Sequence, residues 1–201
     1  MPRLSLAGAL LGCMLVLAGP ALSGAALESS ADPAAFEQLL KRLSARRHGH
    51  VAFTEVQQLS ILDQPLHSSG ELLYDAPDRL EKRTLEPRAE VLRLENGMLT
   101  MERGHRRRSV ALRELPQAAP FIESVRATLA GDRAALERYF TVQFRGSLEQ
   151  WTLELTPADA TLRRSVRQIL IAGAQDRVRT IEIDQSDGDS STLTLGADLA
   201  P

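Results

Sequence analysis

Cysteine is nearly missing from this 201-residue sequence: Cys13 is the single one, and it lies in an apolar leader. A disulfide framework is therefore excluded, and stability has to come from packing. Aromatic side chains are scarce too, at 4% of the chain, with one tryptophan, two tyrosines and five phenylalanines. Lysine occurs only at Lys41 and Lys82, so arginine carries nearly all the positive charge. The formal net charge is −2, which argues against the strongly basic face that a nucleic-acid binder presents. Beyond the leader, no apolar run approaches the roughly 20 residues that cross a bilayer as a helix.

The leader itself reads as a secretory signal. Arg3 gives the positive start, LSLAGALLGCMLVLAG is the apolar segment, and Pro20 breaks it before small residues. Ser23 and Ala25 place cleavage after Ala25, and Ala21 with Ser23 offers a second position. Leu10-Leu11-Gly12-Cys13 has the form of a lipoprotein signal, in which Cys13 would be lipidated. However, MLVLAG continues the apolar run past it, so the reading adopted is a cysteine inside the signal. Residues 1–25 are thus expected to be a signal peptide, and 26–201 a single periplasmic domain with its own core.

That domain opens with a helix. Asp32-Pro33 is a start signal, and Phe36, Leu39, Leu40 and Leu43 recur at helical spacing until Arg46, Arg47, His48 and Gly49 end it. From His50 the period changes to two, and HVAFTEVQQL, SGELLYD, DRLEKRTLE, AEVLRLE, GMLTMER and RRRSVALRE follow one another between turn residues. Asn96-Gly97 is a strong hairpin signal, because a type I′ turn needs positive φ at both positions. Pro77 and Pro87 lack a ladder donor and belong at strand ends or on an edge. A helical excursion occupies about 116–138, with Phe121, Ile122, Val125 and Leu129 on one stripe and a break at Gly131. Strands then resume with YFTVQFRG, EQWTLELTP, VRQILIAG, RVRTIEID and SSTLTLG, the last two joined by Asp187-Gly188. The expected fold is mainly β with some α. About eleven strands form a curved antiparallel sheet, an unclosed half-barrel covered by the N-terminal helix and a mid-chain helical lid.

The order of elements and several local strings resemble the outer-membrane lipoprotein carrier family, LolA, as a divergent branch. The strings are Phe53-Thr54-Glu55 after the first helix, the strand GELLYDAPDRLE from Gly70, the hairpin VLRLENGMLTMERGHRRRSVAL, the helices of 116–138, WTLELTP and the closing run QILIAGAQDRVRTIEIDQSDGDSSTLTL. The resemblance implies a hydrophobic cavity that takes acyl chains. In this chain leucines and Met101 stand where the family commonly has aromatics. The cargo wall is assigned to Phe53, Leu72, Tyr74, Leu80, Leu92, Leu94, Leu99, Met101, Phe144, Trp151 and Leu153, and the lid to Phe121, Ile122, Val125 and Leu129. It further implies a basic latch: Arg79 matches the family's position best, and its guanidinium would bond lid carbonyls in the closed state. Arg83 and Lys82 lie on the same strand.

No catalytic or metal constellation competes with this. His48-Gly49-His50 offers two imidazoles without a further ligand at metal spacing and reads as a helix-to-strand turn. His67 beside Ser68 and Ser69 sets a base next to a nucleophile in sequence, but neighbours on a strand point to opposite faces. Asp184, Asp187 and Asp189 lack the spacing and closing glutamate of a calcium loop. Arg106, Arg107 and Arg108 suit either an acidic partner or an edge protected against aggregation. The expectation is therefore a monomeric, cofactor-free, non-enzymatic carrier. It would bind lipoprotein acyl chains or another amphiphilic lipid, receive them from an inner-membrane donor complex and pass them to an outer-membrane acceptor. An accessory carrier for another lipid or acyl product of an envelope biosynthesis cluster is the alternative.

Overall fold

The computed structural model describes residues 33–116 and 118–199. The expected signal peptide and Cys13 lie outside the described residues. Helix α1 (Pro33–Ala45) leads into six strands: β1 (His48–Gln58), β2 (Leu66–Asp75), β3 (Arg79–Glu86), β4 (Glu90–Glu95), β5 (Met98–Arg103) and β6 (Arg106–Ala111). Helices α2 (Ala119–Ala130) and α3 (Arg133–Glu137) follow, then β7 (Phe140–Gly146), β8 (Trp151–Pro157), β9 (Val166–Ala174), β10 (Arg177–Gln185) and β11 (Ser190–Asp198). All eleven strands form one antiparallel sheet in the order β6-β5-β4-β3-β2-β1-β11-β10-β9-β8-β7. The sheet does not close, because β6 and β7 are its two edges.

This order explains the position of the helices. Successive hairpins lay down β1 to β6 outward in one direction, and β7 to β11 return from the opposite edge until β11 pairs with β1. The connection from β6 to β7 must therefore pass from one edge to the other, and it does so through α2 and α3.

Local chemistry fixes the joints. Asn96 and Gly97 take φ of 50° and 71°, the values that the tight β4–β5 hairpin demands. Pro77 and Pro87 sit in the turns after β2 and β3, where no ladder donor is lost. Gly131 ends α2 in the left-handed region at φ 63°, and a Cβ there would lie 2.2 Å from the Leu40 carbonyl oxygen of α1. Glycine is thus required twice over, for the helix cap and for the close approach of α1.

One apolar core runs through the molecule. In the half of the sheet nearer β7, Phe144 stacks on Phe36 of α1 with centroids 6.1 Å apart, and Leu153, Leu155, Ile169 and Ile171 are fully buried. Trp151 is buried with them and donates its indole N–H to the Gln175 carbonyl at 3.0 Å. Across this half, Phe144 pairs with Leu153 and Leu153 with Ile171, giving the alternation read from EQWTLELTP.

On the other half the two faces differ sharply. The concave face carries a row in which Tyr74, Leu80, Leu94 and Leu99 are successive cross-strand partners. The convex face of the same strands is ionic. There Glu81, with no exposed surface, is gripped by Arg93 at 2.6 Å, Arg79 at 3.3 Å and Arg83. Burial alone would raise the Glu81 carboxyl, but the hydrogen bonds and charges of Arg93 and Arg83 override it and hold the group at about 2.

Candidate functional site: a lidded apolar cavity with a charged mouth

Between α2 and the concave face of the sheet lies a cavity of about 160 Å³. Its wall is Leu72, Leu80, Leu92, Leu94 and Leu99 from β2 to β5, together with Ile181, Ile183 and Leu193 from β10 and β11. Phe121, Ile122 and Val125 of α2 form its roof. The helix has two kinds of surface. Its small residues Ser124, Ala127 and Thr128 are buried, and the hydroxyls of Ser124 and Thr128 donate back to carbonyls of the preceding turn at 2.7 Å. The large residues Phe121, Ile122 and Val125 remain half-buried over the cavity, and Leu129, also half-buried, lies beside it. The side of α2 that packs tightly is thus made of small side chains, and the greasy side roofs empty space.

The structure divides the residues expected on the cargo wall into four groups. Leu72, Leu80, Leu92, Leu94 and Leu99 come together around the cavity with Phe121, Ile122 and Val125. Tyr74 and Leu129 line a smaller adjoining pocket of about 60 Å³ near the end of α1. Phe53 is buried beneath the Lys82 ammonium, which stands 5.0 Å above its ring, and Met101 is half-buried opposite Leu92. Phe144, Trp151 and Leu153 sit instead in the packed core with α1. Strand alternation marks the face they share as buried without saying what fills it.

The Tyr74 hydroxyl is buried and has no hydrogen-bond partner among the described residues. Burial raises its pKa above the usual tyrosine value, against the opposing influence of Arg126 and Arg47.

Arg79, the arginine expected to bond the helix, does not reach it. Arg79 projects to the convex face and pairs with Asp75 at 3.4 Å and Glu81 at 3.3 Å, and among the described residues it makes no bond to α2. Strand alternation explains this, since Leu80 next to it takes the concave side. The bond between helix and sheet runs the opposite way: Arg126 of α2 donates to the Pro77 carbonyl at 3.2 Å in the β2–β3 turn. Glu123 at 2.8 Å and Asp132 at 3.5 Å hold that guanidinium in place.

At one end the apolar wall meets two charges. Glu55 and Lys82 both line the cavity, and their side chains pair at 2.5 Å. Glu55 also accepts from Ser191 at 2.9 Å, Ser68 at 3.0 Å and Gln57 at 3.2 Å. Burial would raise the Glu55 carboxyl, but the Lys82 charge and hydrogen bond, joined by the two serines, bring it below the usual carboxylate value. The pair also borders a polar vestibule of about 390 Å³ that includes Arg88, Glu90 and Arg103. Glu55 and Ser191, like Ile181, Ile183 and Leu193, escaped the sequence reading. Only the pairing of β1 with β11 brings them to the cavity, and no local signal announces that pairing.

Several of the remaining candidates have ordinary partners. His48 bonds Asp75 at 2.8 Å and His50 bonds Glu71 at 3.1 Å. Ser68 serves Glu55, and Asp189 accepts from the Ser60 amide at 2.7 Å. Arg107 pairs with Glu102 at 3.4 Å on the edge of the sheet. Among the described residues no cluster of three histidine, cysteine, aspartate or glutamate side chains is arranged to hold a metal.

The sheet is an unclosed half-barrel whose helical cover roofs an apolar cavity, the architecture in which curved sheets enclose ligands. The chain belongs to the LolA-like family of outer membrane lipoprotein carrier proteins, whose profile matches residues 26–200. Among solved structures it is similar to a LolA superfamily protein of Nitrosomonas europaea, at 12% identity and TM-score 0.46, over 83% of this chain and 94% of that one. The lipoprotein LppX of Mycobacterium tuberculosis is similar at 11% identity and TM-score 0.46, over 85% and 98%. MucB is similar at 14% identity and TM-score 0.44, over 83% of this chain and 61% of the MucB chain. No protein of curated function matches the sequence.

Proposed function

We propose that this protein is a periplasmic carrier, released from a signal peptide at residues 1–25, that binds the acyl part of a lipoprotein or a related lipid and moves it from the inner towards the outer membrane. The observation that carries the reading is the cavity itself, walled by leucines and roofed by half-buried Phe121, Ile122 and Val125. A folded core does not ordinarily leave such a space beneath a helix. At about 160 Å³ it is smaller than the roughly 300–1,000 Å³ of sites that enclose a drug-sized ligand. A long acyl chain therefore needs α2 to lift, exchanging helix–sheet contacts for chain–sheet contacts.

Arg126 supports the same reading as the latch of the closed state, because its bond to the Pro77 carbonyl exists only while α2 lies down. Its loss on opening weakens the loaded state, which favours release to an acceptor. The protein acts as a monomer and without catalysis, its partners being an inner-membrane donor and an outer-membrane acceptor. The second reading is an accessory carrier of the same kind for another lipid or acyl product, favoured by leucines where related cavities are rich in aromatics.

The test is native mass spectrometry of delipidated protein before and after exposure to an envelope lipid extract. A discrete adduct carrying acyl chains is expected, and its mass separates lipoprotein-derived cargo from another lipid. Protein that stays at its own mass, with no acyl adduct from any extract, contradicts the reading.

A further inference from the structure

The charges at the cavity mouth say which end of an amphiphile sits there. Lys82 rises from the apolar wall between its cross-strand neighbours Leu72 and Leu92, and among the described residues only Glu55 balances it. In the vestibule beyond, Arg103 pairs with Glu90. Arg88, in the turn after β3, lines the same vestibule and has no ion-pair partner among the described residues. Two matched pairs and one unmatched guanidinium leave the mouth one positive charge in excess, directly where the apolar cavity ends.

We infer that the mouth selects amphiphiles with an anionic head, a carboxylate or a phosphate. The acyl chain lies under α2 and the head rests against Arg88 and Lys82. This deepens the carrier reading and rests on it. The geometry suits the task, because Glu55 is already saturated by Lys82, Ser68, Ser191 and Gln57 and is held ionised by them. It therefore offers an incoming neutral or cationic head no free acceptor to repay desolvation. An anion can draw on the remaining donors of Lys82 and on all five of Arg88.

The experiment is a binding titration of the delipidated chain at neutral pH with palmitate, palmityl phosphate, palmityl alcohol and palmitylamine, which share one tail. The anions should bind about fivefold more tightly than the alcohol, the scale expected of a partly exposed ion pair, and the amine no better than the alcohol. The anion preference should shrink as salt screens the vestibule. Comparing carboxylate with phosphate then identifies the preferred head. In Arg88→Gln, a substitution at an exposed turn that leaves the core untouched, the anions should fall to the affinity of the alcohol. Equal affinities for all four ligands overturn the inference while leaving the carrier standing, and so does an anion preference that persists in Arg88→Gln. Failure of every tail to bind overturns both.

Discussion

Enlarging one leucine on each half of the sheet distinguishes a wall with space before it from a packed core. Leu92 is half-buried and borders the 160 Å³ cavity, whereas Leu153 is fully buried in the half that α1 covers. Leu92→Phe places new carbon where there was void, regaining dispersion contacts that the wall lacks. About one methylene's worth of newly buried surface stabilises by roughly 1 kcal/mol. Leu153→Phe has no such space and must push neighbours off their rotamers, which costs about 1–3 kcal/mol. The two variants should therefore differ by about 2–4 kcal/mol in opposite directions from the parent. Urea unfolding reads this as a shift of midpoint at unchanged slope. A fluorescent acyl probe gives the second half of the test: Leu92→Phe should bind it weakly, and Leu153→Phe should bind it like the parent. Equal destabilisation of both variants, with probe binding by Leu92→Phe intact, would refute the claim that this wall faces usable space.

Arg126→Gln should leave the urea midpoint within about 1 kcal/mol of the parent, since the lost bonds are partly exposed, yet speed the association of an acyl probe measured by stopped flow. An unchanged association rate would remove Arg126 from the latch. Acid should weaken the fold through Glu81, whose carboxyl is depressed to about 2 from an unfolded value of 4.5. A depressed group stabilises above its unfolded value, so this contribution, up to about 3 kcal/mol, is lost as pH falls from 4.5 towards 2. Urea midpoints across that range should drop for the parent and drop less for Glu81→Gln, and parallel slopes would contradict it. Tyr74→Phe removes a buried hydroxyl with no partner among the described residues and should melt at or above the parent temperature, by an amount reflecting up to about 1–3 kcal/mol. A clear fall in melting temperature would show that the hydroxyl is satisfied.

What was legible in the sequence was local. Asn96-Gly97 announced its hairpin, the alternation around Trp151 its buried face, and Gly131 the end of α2, because each depends on neighbours along the chain. The helical insertion and the succession of strands followed from the same signals, and they sufficed for the half-barrel and its family. The composition of the cavity was only half legible. Its β2–β5 side lies in consecutive hairpins, and Leu72, Leu80, Leu92, Leu94 and Leu99 were grouped there through the family resemblance. Ile181, Ile183, Leu193 and Ser191 join them through the pairing of the first strand with the last, a contact that no local pattern encodes. Glu55 was named only as part of the Phe53-Thr54-Glu55 string; its side chain lies on the buried face and pairs with Lys82 from two strands away. Arg79 does not reach α2 for the converse reason: strand parity turns it to the convex face, and the bond from helix to sheet comes from Arg126.

The central claim is that α2 is a lid over a cavity rather than a plug in a core, and amide hydrogen exchange tests it most directly. Elements that must open to function belong to the less stable part of a structure. Backbone amides of α2 should exchange faster than those of β8, and adding an acyl ligand should change the exchange of α2 while leaving β8 as it was. If α2 is as protected as β8 and indifferent to ligand, the helix only seals a core, and the account is wrong.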